Sequence, residues 1–209
     1  SNLKTVMDFS FFDKINTAKN EQTETWFKGL DRVYNNFVYD FLYPDPTSVL
    51  AFIENHDTDR FLGEGDNLPM LKQASTLLLT TRSIPQLYYG TEIMMNGVKS
   101  KSDGYVRKDF PGGWTGDATN ALTPAGRTKI QNECYDFYKT ILNWRKGNDV
   151  IAKGSMGQFM VQNGVYAYAR HYEGKTIFVM LIGTDAETTV PFKFYKEILK
   201  DSNQGIGIL

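Results

Sequence analysis

Several features that would place this chain in a specialised class are missing from its 209 residues. A single cysteine, Cys134, excludes an internal disulfide framework. No apolar run approaches the roughly 18 residues that a membrane-spanning helix needs. Lys and Arg form no basic block and the formal net charge is −1, which argues against nucleic-acid binding. Since no glycine-rich phosphate loop follows a predicted strand, the pattern of a nucleotide-binding domain is not met either.

The sequence also lacks an initiator Met and a basic-then-apolar signal segment. Because Ser1-Asn2 leads directly into an apolar run, we expect a piece of a longer protein with a short tag remnant at its start. The location of that longer protein is not readable from this segment, and a periplasmic, a secreted and a cytoplasmic one all stay open.

What the first half of the chain does contain is an alternation of strand-like and helix-like segments. Short apolar runs over 5–9, 48–53 and 84–89 predict strands. Apolar residues spaced by three and four predict a helix within 22–41, and a second, buried helix is predicted over 70–81. The positions expected to be buried on the first helix are Trp26, Leu30, Val33, Phe37 and Phe41. This order predicts parallel strands joined by crossover helices, hence an α/β layer.

A long polar segment over 94–120 separates these elements from the next predicted helix. Loops of that length inside a compact domain are usually functional or disordered. Thr123 and Pro124 then offer an N-cap and a first-turn proline for a helix that should end at Gly147. The expected buried stripe of this helix consists of Ile130, Cys134, Phe137, Ile141 and Trp144.

From about residue 149 onward the pattern changes from helical to antiparallel β. Asn-Gly at 163–164 and Glu-Gly at 173–174 are hairpin-turn signals. Residue types alternate over 165–170, which predicts a half-exposed strand. The segment 176–182 is more continuously apolar and is therefore predicted to be the central strand of the sheet.

A compact polar motif, Asn55-His56-Asp57, follows the apolar run 48–53 and should lie at the carboxyl end of that strand. In an α/β barrel, active-site residues gather at that end of the strands. A carboxylate beside His and Asn can hold sugar hydroxyls, and its charge favours the positive transition state of glycoside cleavage. The same three residues also suit a polar turn or a helix N-cap, and taken alone they fit that structural role better.

Four longer segments of the chain resemble a known enzyme family, in the order that the family has them. The segment 52–61, FIENHDTDRF, closely resembles the fourth conserved region of glycoside hydrolase family 13, the α-amylase family. The segment 84–93, IPQLYYGTEI, resembles the eighth strand of that family's barrel, and 6–9, VMDF, resembles the sixth. The segment 106–114, VRKDFPGGW, resembles the following loop in neopullulanase- and cyclomaltodextrinase-like members. The matches cover about residues 5 to 115.

The resemblance implies a fold in two domains and an activity. The fold is α/β: the C-terminal portion of a (β/α)8 TIM barrel over 1–148, with strands six to eight and their helices. A small antiparallel β-sandwich domain over 149–209 follows, and its truncation is left open. The implied activity is that of a retaining enzyme acting on α-1,4-glucosidic bonds of starch-like polysaccharides. A non-catalytic carbohydrate-binding or structural relative is the alternative, and hydrolysis is not separated from glycosyl transfer.

Carried onto this chain, the resemblance assigns roles to residues around the motif. Asp57 would stabilise the transition state, and His56 would hydrogen-bond the sugar in the cleavage subsite. Asp103 and Arg107 would bind the sugar one step toward the non-reducing end. A carboxylate accepts hydrogen bonds and a guanidinium donates them, and sugar hydroxyls can do both. A solvated salt bridge within the loop stays open as the alternative for this pair.

Further residues are expected to support the site. Asn55 is assigned a position behind it, and Arg60 a role in orienting the strand end. Tyr88, Tyr89 and Trp114 are candidate sugar platforms, although core packing fits the two tyrosines at least as well. The expected partner is an α-glucan. No metal ligand or cofactor is expected in this segment, and structural calcium is left open for the parent protein.

Two carboxylates that the family's retaining mechanism needs have no counterpart in the chain. The nucleophilic Asp and the acid/base Glu follow the family's fourth and fifth strands, whose motifs should precede Val6. Asp8 and Glu54 lie in no matching motif and do not replace them. We therefore expect the isolated chain to be inactive, and its unpaired sheet edges to favour self-association.

Overall fold

The computed structural model describes residues 4–21, 27–185 and 187–199. Within them the α-helices are α1 (Phe9–Ala18), α2 (Leu30–Val38), α3 (Leu68–Thr80), α4 (Asp103–Val106), α5 (Lys129–Arg145), α6 (Asp149–Lys153) and α7 (Lys196–Leu199). Short 3₁₀ helices span Tyr39–Leu42, Pro46–Ser48, Thr91–Ile93, Pro124–Gly126 and Phe192–Tyr195. The strands are β1 (Leu50–Ala51), β2 (Ile84–Pro85), β3 (Ser155–Gln158), β4 (Val165–Tyr172) and β5 (Lys175–Ile182).

The first half forms the predicted α/β layer with parallel pairing. Strand β1 pairs with β2 in parallel, with Leu50 opposite Ile84. On its other side, Leu50 forms a parallel bridge with Met7, in which the Leu50 amide donates to Val6 O and the Asp8 amide to Leu50 O. The predicted strand 5–9 is therefore reduced to this bridge, because helix α1 begins at its last residue.

Helix α1 was not predicted, and α2 is shorter than the helix predicted within 22–41. Asp8 caps α1, accepting a hydrogen bond from the Phe11 amide at 2.9 Å. Helix α2 begins only after Gly29, which has a φ of 54°. Phe41, predicted to be buried, is 76% exposed, because the chain continues as a 3₁₀ helix whose tighter winding turns it away from the α-helical stripe. Predicted position Trp26 lies outside the described residues.

Helices α3 and α5 have clear start signals. Asn67 caps α3, accepting from the Met70 amide. Helix α5 begins at Lys129 rather than at Thr123, because Thr128 and Gln131 form a reciprocal capping box. The prediction of its buried stripe is confirmed for three members and wrong for Ile130, which is exposed in the first turn. The three buried members are Cys134, Phe137 and Ile141.

The second half contains the predicted antiparallel sheet, in the order β3-β4-β5. Both hairpin turns are confirmed: the residues at 163–164 and 173–174 all have positive φ, as a tight primed turn requires. The predicted burial of the strands is wrong, because β4 lies in the centre with residues 165–170 buried, and β5 forms an edge.

Strand β4 is buried because its large side chains face the α/β half of the molecule. The Tyr168 hydroxyl shares a hydrogen bond of 2.5 Å with the Thr80 hydroxyl at the end of α3. The Tyr166 ring meets the Tyr34 ring edge-on, with their centroids 6.3 Å apart. The Tyr166 hydroxyl donates to Gln158 Oε1 at 2.8 Å. The hydroxyls of Tyr166 and Tyr168 are thus satisfied inside the protein, which an alternating pattern in the sequence does not reveal.

One hydrophobic core runs through both halves. It joins residues of α1, α3 and α5 to residues of β4 and β5, such as Leu77, Ile141 and Leu181. Within the described part of the chain, no helix combines the length and the apolar character needed to cross a membrane.

Candidate functional site

The motif Asn55-His56-Asp57 lies where β1 leaves the sheet, and its backbone forms a polar turn. The buried Asn55 side chain accepts a hydrogen bond from the Asp57 amide at 2.8 Å, and the Asn55 amide donates to Thr58 Oγ1 at 3.0 Å. The side chains of His56 and Asp57 project into solvent. The structural and the functional interpretation of this motif are therefore compatible, since the turn is what presents the carboxylate.

The structure brings the predicted sugar-binding residues together around the Asp57 carboxylate. His56 Nε2 lies 3.1 Å from Asp57 Oδ2, and Arg107 Nη2 donates to Asp57 Oδ1 at 2.9 Å. The Arg107 Nε also donates to the His56 carbonyl at 2.8 Å. Asp103 belongs to the same helical turn as Arg107, with 3.6 Å between Oδ2 and Nη2. The four residues form a continuous, solvent-accessible polar cluster.

The one-turn helix α4 sets the spacing of Asp103 and Arg107. Ser102 caps this helix, accepting a hydrogen bond from the Tyr105 amide at 3.1 Å. A separation of four residues places two side chains on the same helical face, so the carboxylate and the guanidinium can act on one ligand. The predicted pair is therefore an ion pair that stays open to solvent.

Arg60 lies behind this cluster and is only 1% exposed. Its Nε donates to Val106 O at 3.0 Å and its Nη1 to Tyr89 O at 2.7 Å. The guanidinium also covers the Tyr88 ring, 3.9 Å from its centroid, and lies 3.3 Å from Glu54 Oε1. Arg60 therefore ties the segment after β2 to the residue that precedes Arg107.

Glu54 is a buried carboxylate directly before the motif. It accepts hydrogen bonds from the Phe61 amide at 2.5 Å and from the Thr91 hydroxyl. Burial raises the pKa of Glu54, and the donors Thr91, Phe61 and Arg60 oppose that shift. These contacts hold the segment 54–61 in a closed loop behind Asp57.

The aromatic candidates differ in position. Tyr88 and Tyr89 meet edge-on, with 4.7 Å between ring centroids, and the Tyr89 hydroxyl donates to Lys108 O at 2.6 Å. Trp114 is 74% exposed on the loop that follows α4, and its amide donates to Asp117. An exposed indole is a suitable face for a sugar ring, whereas the tyrosines are engaged with Arg60 and the loop.

Lys99 and Asp59, which were not predicted to be site residues, also contact this cluster. The Lys99 Nζ donates to Asp57 O at 3.0 Å, and its amide donates to Asp59 Oδ1 at 2.5 Å. In the sequence, Lys99 is marked only by its spacing of four residues from Asp103, which suits an ion pair on a helical face. In the structure their charged groups lie 3.6 Å apart. Among the described residues, no group of three or more His, Cys, Asp or Glu side chains is arranged to hold a metal ion.

Comparisons with known proteins agree with the resemblance seen in the motifs. Residues 156–209 match the family model described as the cyclo-malto-dextrinase C-terminal domain. An α-amylase of Niallia circulans is 28% identical over 212 residues, covering 97% of this chain and 36% of the relative. A cyclomaltodextrin glucanotransferase of Thermoanaerobacterium thermosulfurigenes is 30% identical over 184 residues, covering 88% of this chain and 23% of the relative.

Solved structures share the fold. The α-amylase from Geobacillus thermoleovorans in complex with acarbose superposes with a TM-score of 0.67 at 22% identity, covering 87% of this chain and 37% of that one. A cyclomaltodextrinase structure gives a TM-score of 0.63 at 20% identity, covering 85% of this chain and 28% of that one. The resemblance to glycoside hydrolase family 13 is confirmed by these matches. The chain spans 36% or less of the length of the curated relatives named above.

Proposed function

We propose that this chain, a homologue of the α-amylase family, is the C-terminal part of an enzyme that acts on α-1,4-glucosidic bonds of starch-like glucans. The observation that carries the proposal is the exposed Asp57 carboxylate at a strand end, held between His56 and Arg107. A carboxylate fixed in this way can face the positive charge that develops on a sugar ring during cleavage. The names of the relatives, α-amylase and cyclomaltodextrin glucanotransferase, support α-glucans as the substrate class.

In this proposal Asp57 stabilises the transition state, and its neighbours bind the sugar. His56 offers a ring nitrogen beside the carboxylate to hydroxyls of the sugar that is cleaved. Asp103 accepts hydrogen bonds from hydroxyls of the next sugar, and Arg107 donates to their oxygens. The 3.6 Å ion pair between these two residues is exposed, so a sugar can insert at its solvent side without breaking a buried contact.

The proposed fold is a (β/α)8 barrel followed by a β-sandwich, to which the described strands contribute a part. Among the described residues, the segment at Met7 and strand β2 each have only β1 as a neighbour. The apolar side chains of Val6, Phe9 and Ile84 are exposed beside these edges. Further parallel strands of a longer protein would pair with both edges and cover these side chains.

The same edges give an expectation for the chain on its own. Unpaired strand edges and exposed apolar side chains favour pairing with another chain, so we expect the isolated chain to self-associate. Sedimentation velocity measures this directly. A monomer that stays monomeric as the concentration rises would contradict the expectation.

The catalytic proposal is tested in the full-length protein that contains this chain. We expect it to hydrolyse maltoheptaose, and Asp57→Asn to lower kcat by about 10²- to 10³-fold, because one stabilising charge is lost from the transition state. The matched control is Asp66→Asn, which neutralises an exposed carboxylate outside the polar cluster. The isolated chain should be inactive, since the nucleophile and the acid have no counterpart in its motifs.

The outcomes separate the alternatives. Asp57-dependent hydrolysis by the isolated chain would show that the inactivity proposal is wrong. A full-length protein that binds maltoheptaose without cleaving it would favour the non-catalytic carbohydrate-binding alternative. Equal kcat values for Asp57→Asn and Asp66→Asn would remove Asp57 from the mechanism.

Glycosyl transfer is a second candidate activity, favoured by the 30% identity to a cyclomaltodextrin glucanotransferase. Hydrolysis and transfer share a glycosyl-enzyme intermediate and differ in whether water or a sugar hydroxyl attacks it. Product analysis from maltoheptaose distinguishes the two activities. Longer or cyclic products indicate transfer, and shorter oligosaccharides alone indicate hydrolysis.

A further inference from the structure

Two loops meet at the site through contacts that no sugar-binding role uses. The backbone amide of Lys99 donates to Asp59 Oδ1 at 2.5 Å. The Lys99 ammonium donates to the Asp57 carbonyl at 3.0 Å and lies 3.6 Å from Asp103 Oδ1. One residue of the loop over 94–110 thus contacts the strand-end segment twice and also contacts the carboxylate of the proposed sugar-binding pair.

The base of this loop is anchored separately, two residues earlier. The Gly97 amide donates to Gly63 O at 2.7 Å, and the Arg60 amide donates to Gly97 O at 3.0 Å. A Cβ on Gly97 would lie 2.7 Å from Tyr105 O, so the backbones approach too closely for any other residue. Arg60 Nε holds the far side of the loop through Val106 O. Lys99 lies between these two anchors and holds the intervening stretch against the strand-end segment.

The charges around Lys99 explain why a cation is needed there. Asp57 and Asp103 are two carboxylates that face the same site, and both lie close to Arg107. Like charges at short range repel each other, and one guanidinium has to offset both. The Lys99 ammonium adds a second positive charge beside Asp103, while the Asp59 carboxylate forms a charge-assisted hydrogen bond to the backbone.

We propose that Asp59 and Lys99 are positioning residues, which hold the loop over 94–110 so that Asp103 and Arg107 face Asp57. The inference rests on the proposed function of that site, because it assigns the pair a sugar to bind. Asp59 holds the loop backbone by accepting a hydrogen bond from the Lys99 amide. The Lys99 ammonium holds the Asp103 carboxylate and the Asp57 carbonyl in place.

The first experiment measures the loop itself and does not depend on activity. In the full-length protein, hydrogen exchange of the Lys99 amide is compared between the wild type and Asp59→Ala. We expect the amide to exchange about tenfold faster in the variant, which corresponds to the loss of one hydrogen bond. The matched control is Lys101→Met, which removes the ammonium that binds Glu64 two residues further along the same loop. Its Lys99 amide should exchange at the wild-type rate.

The second experiment measures hydrolysis of maltoheptaose. We expect Lys99→Met and Asp59→Ala to raise KM by about three- to tenfold. Both should leave kcat within about twofold, because the misplaced pair binds a sugar next to the cleaved one and does not touch the reacting atoms. Lys99→Arg, which keeps the charge, should restore most of the KM, and Lys101→Met should match the wild type.

Each result supports or overturns the inference. Unchanged Lys99 exchange in Asp59→Ala, or equal KM values for Lys99→Met and Lys101→Met, would overturn it. A loss in kcat with an unchanged KM would also overturn it, because the residues would then act on the chemical step. If the wild type cleaves no α-glucan, the proposed function fails by itself, and the exchange experiment still decides whether Asp59 holds the loop.

Discussion

Arg107 Nη2 lies 2.9 Å from Asp57 Oδ1, so the carboxylate at the strand end is paired with a cation from a loop 50 residues further along the chain. The same guanidinium donates to the His56 carbonyl at 2.8 Å through Nε. Two hydrogen bonds from one planar group fix both the position and the orientation of the loop against the motif. Arg107 therefore holds its loop against the strand end that presents Asp57.

This relationship predicts that lysine cannot replace Arg107. In Arg107→Lys a single ammonium replaces the planar guanidinium, which donates to the His56 carbonyl and to Asp57 Oδ1 at the same time. We expect KM for maltoheptaose to rise by about tenfold, the equivalent of one lost charge-assisted hydrogen bond. The control is Lys108→Met, which removes a neighbouring ammonium that lies over the Tyr105 ring. Similar KM values for the two variants would contradict the role of the two guanidinium hydrogen bonds.

The buried pair of Arg60 and Glu54 predicts a different pattern, in stability. Arg60→Met leaves the Glu54 carboxylate buried without its cation and leaves the carbonyls of Val106 and Tyr89 without their donor. Breaking a buried pair by removing one partner costs about 3–5 kcal/mol, measurable as a lower urea midpoint of unfolding. The double variant Arg60→Met with Glu54→Gln should be more stable than Arg60→Met alone. A double variant that loses the sum of both single losses would argue against the coupling.

The sequence predicts those parts of the fold and site that depend on neighbours along the chain. The hairpin turns at 163–164 and 173–174 require positive φ. Gly164 and Gly174 adopt it without steric cost, and Asn163 adopts it more readily than most residues. The motif Asn55-His56-Asp57 follows an apolar run, so its place at the end of β1 is predictable. The start of helix α5 at Lys129 is also encoded locally, because Thr128 and Gln131 have the spacing of a capping box.

The parts that the sequence does not predict depend on residues far apart in the chain. The pattern over 165–170 is typical of a strand with one solvent-exposed face. In the structure, Tyr168 and Arg170 instead form hydrogen bonds with the end of helix α3, about 90 residues earlier in the chain. Phe41 sits at a helical spacing but is exposed because the helix tightens before it. The contact between Lys99 and Asp59 joins two loops whose meeting is decided by the fold, so no local pattern indicates it.

Arg170 connects the antiparallel sheet to the α/β half of the molecule. It is buried on β4, and burial lowers its pKa to about 10. Its guanidinium donates to Thr80 O at 2.9 Å, to Thr81 O, and to Gly154 O at 2.6 Å. The first two are carbonyls at the end of α3, where a cation also complements the helix dipole.

We therefore expect Arg170→Met to lower the free energy of unfolding by about 2–4 kcal/mol, because buried carbonyls lose their donor. Urea unfolding followed by circular dichroism measures the change. Lys175→Met serves as the control, since Lys175 is an exposed residue at the start of β5. A loss below about 0.5 kcal/mol for Arg170→Met, the range of ordinary surface substitutions, would mean that the sheet is held mainly by apolar packing.

The ion pair of Glu21 and Arg32 should contribute to stability in a way that depends on pH. Its carboxylate accepts hydrogen bonds from Arg32 Nε at 2.6 Å and Nη2 at 2.7 Å, and from the Gly29 amide at 2.9 Å. The hydrogen bonds from Arg32 lower the pKa of Glu21 from its ordinary value of 4.5 to about 2. Because the folded state binds the proton more weakly than the unfolded state, the contribution is complete above about pH 4.5 and is lost as the pH falls toward 2.

Substitution of either partner tests this sign. We expect Glu21→Gln to have a lower Tm than the wild type at neutral pH, and the difference to shrink as the pH falls from 4.5 to about 2. Arg32→Met should reproduce that pH dependence, because it removes the same contact from the other side. The double variant should lose little more than either single variant. A difference in Tm between the wild type and Glu21→Gln that stays constant across this pH range would mean that the Arg32 contact does not stabilise the ionised carboxylate.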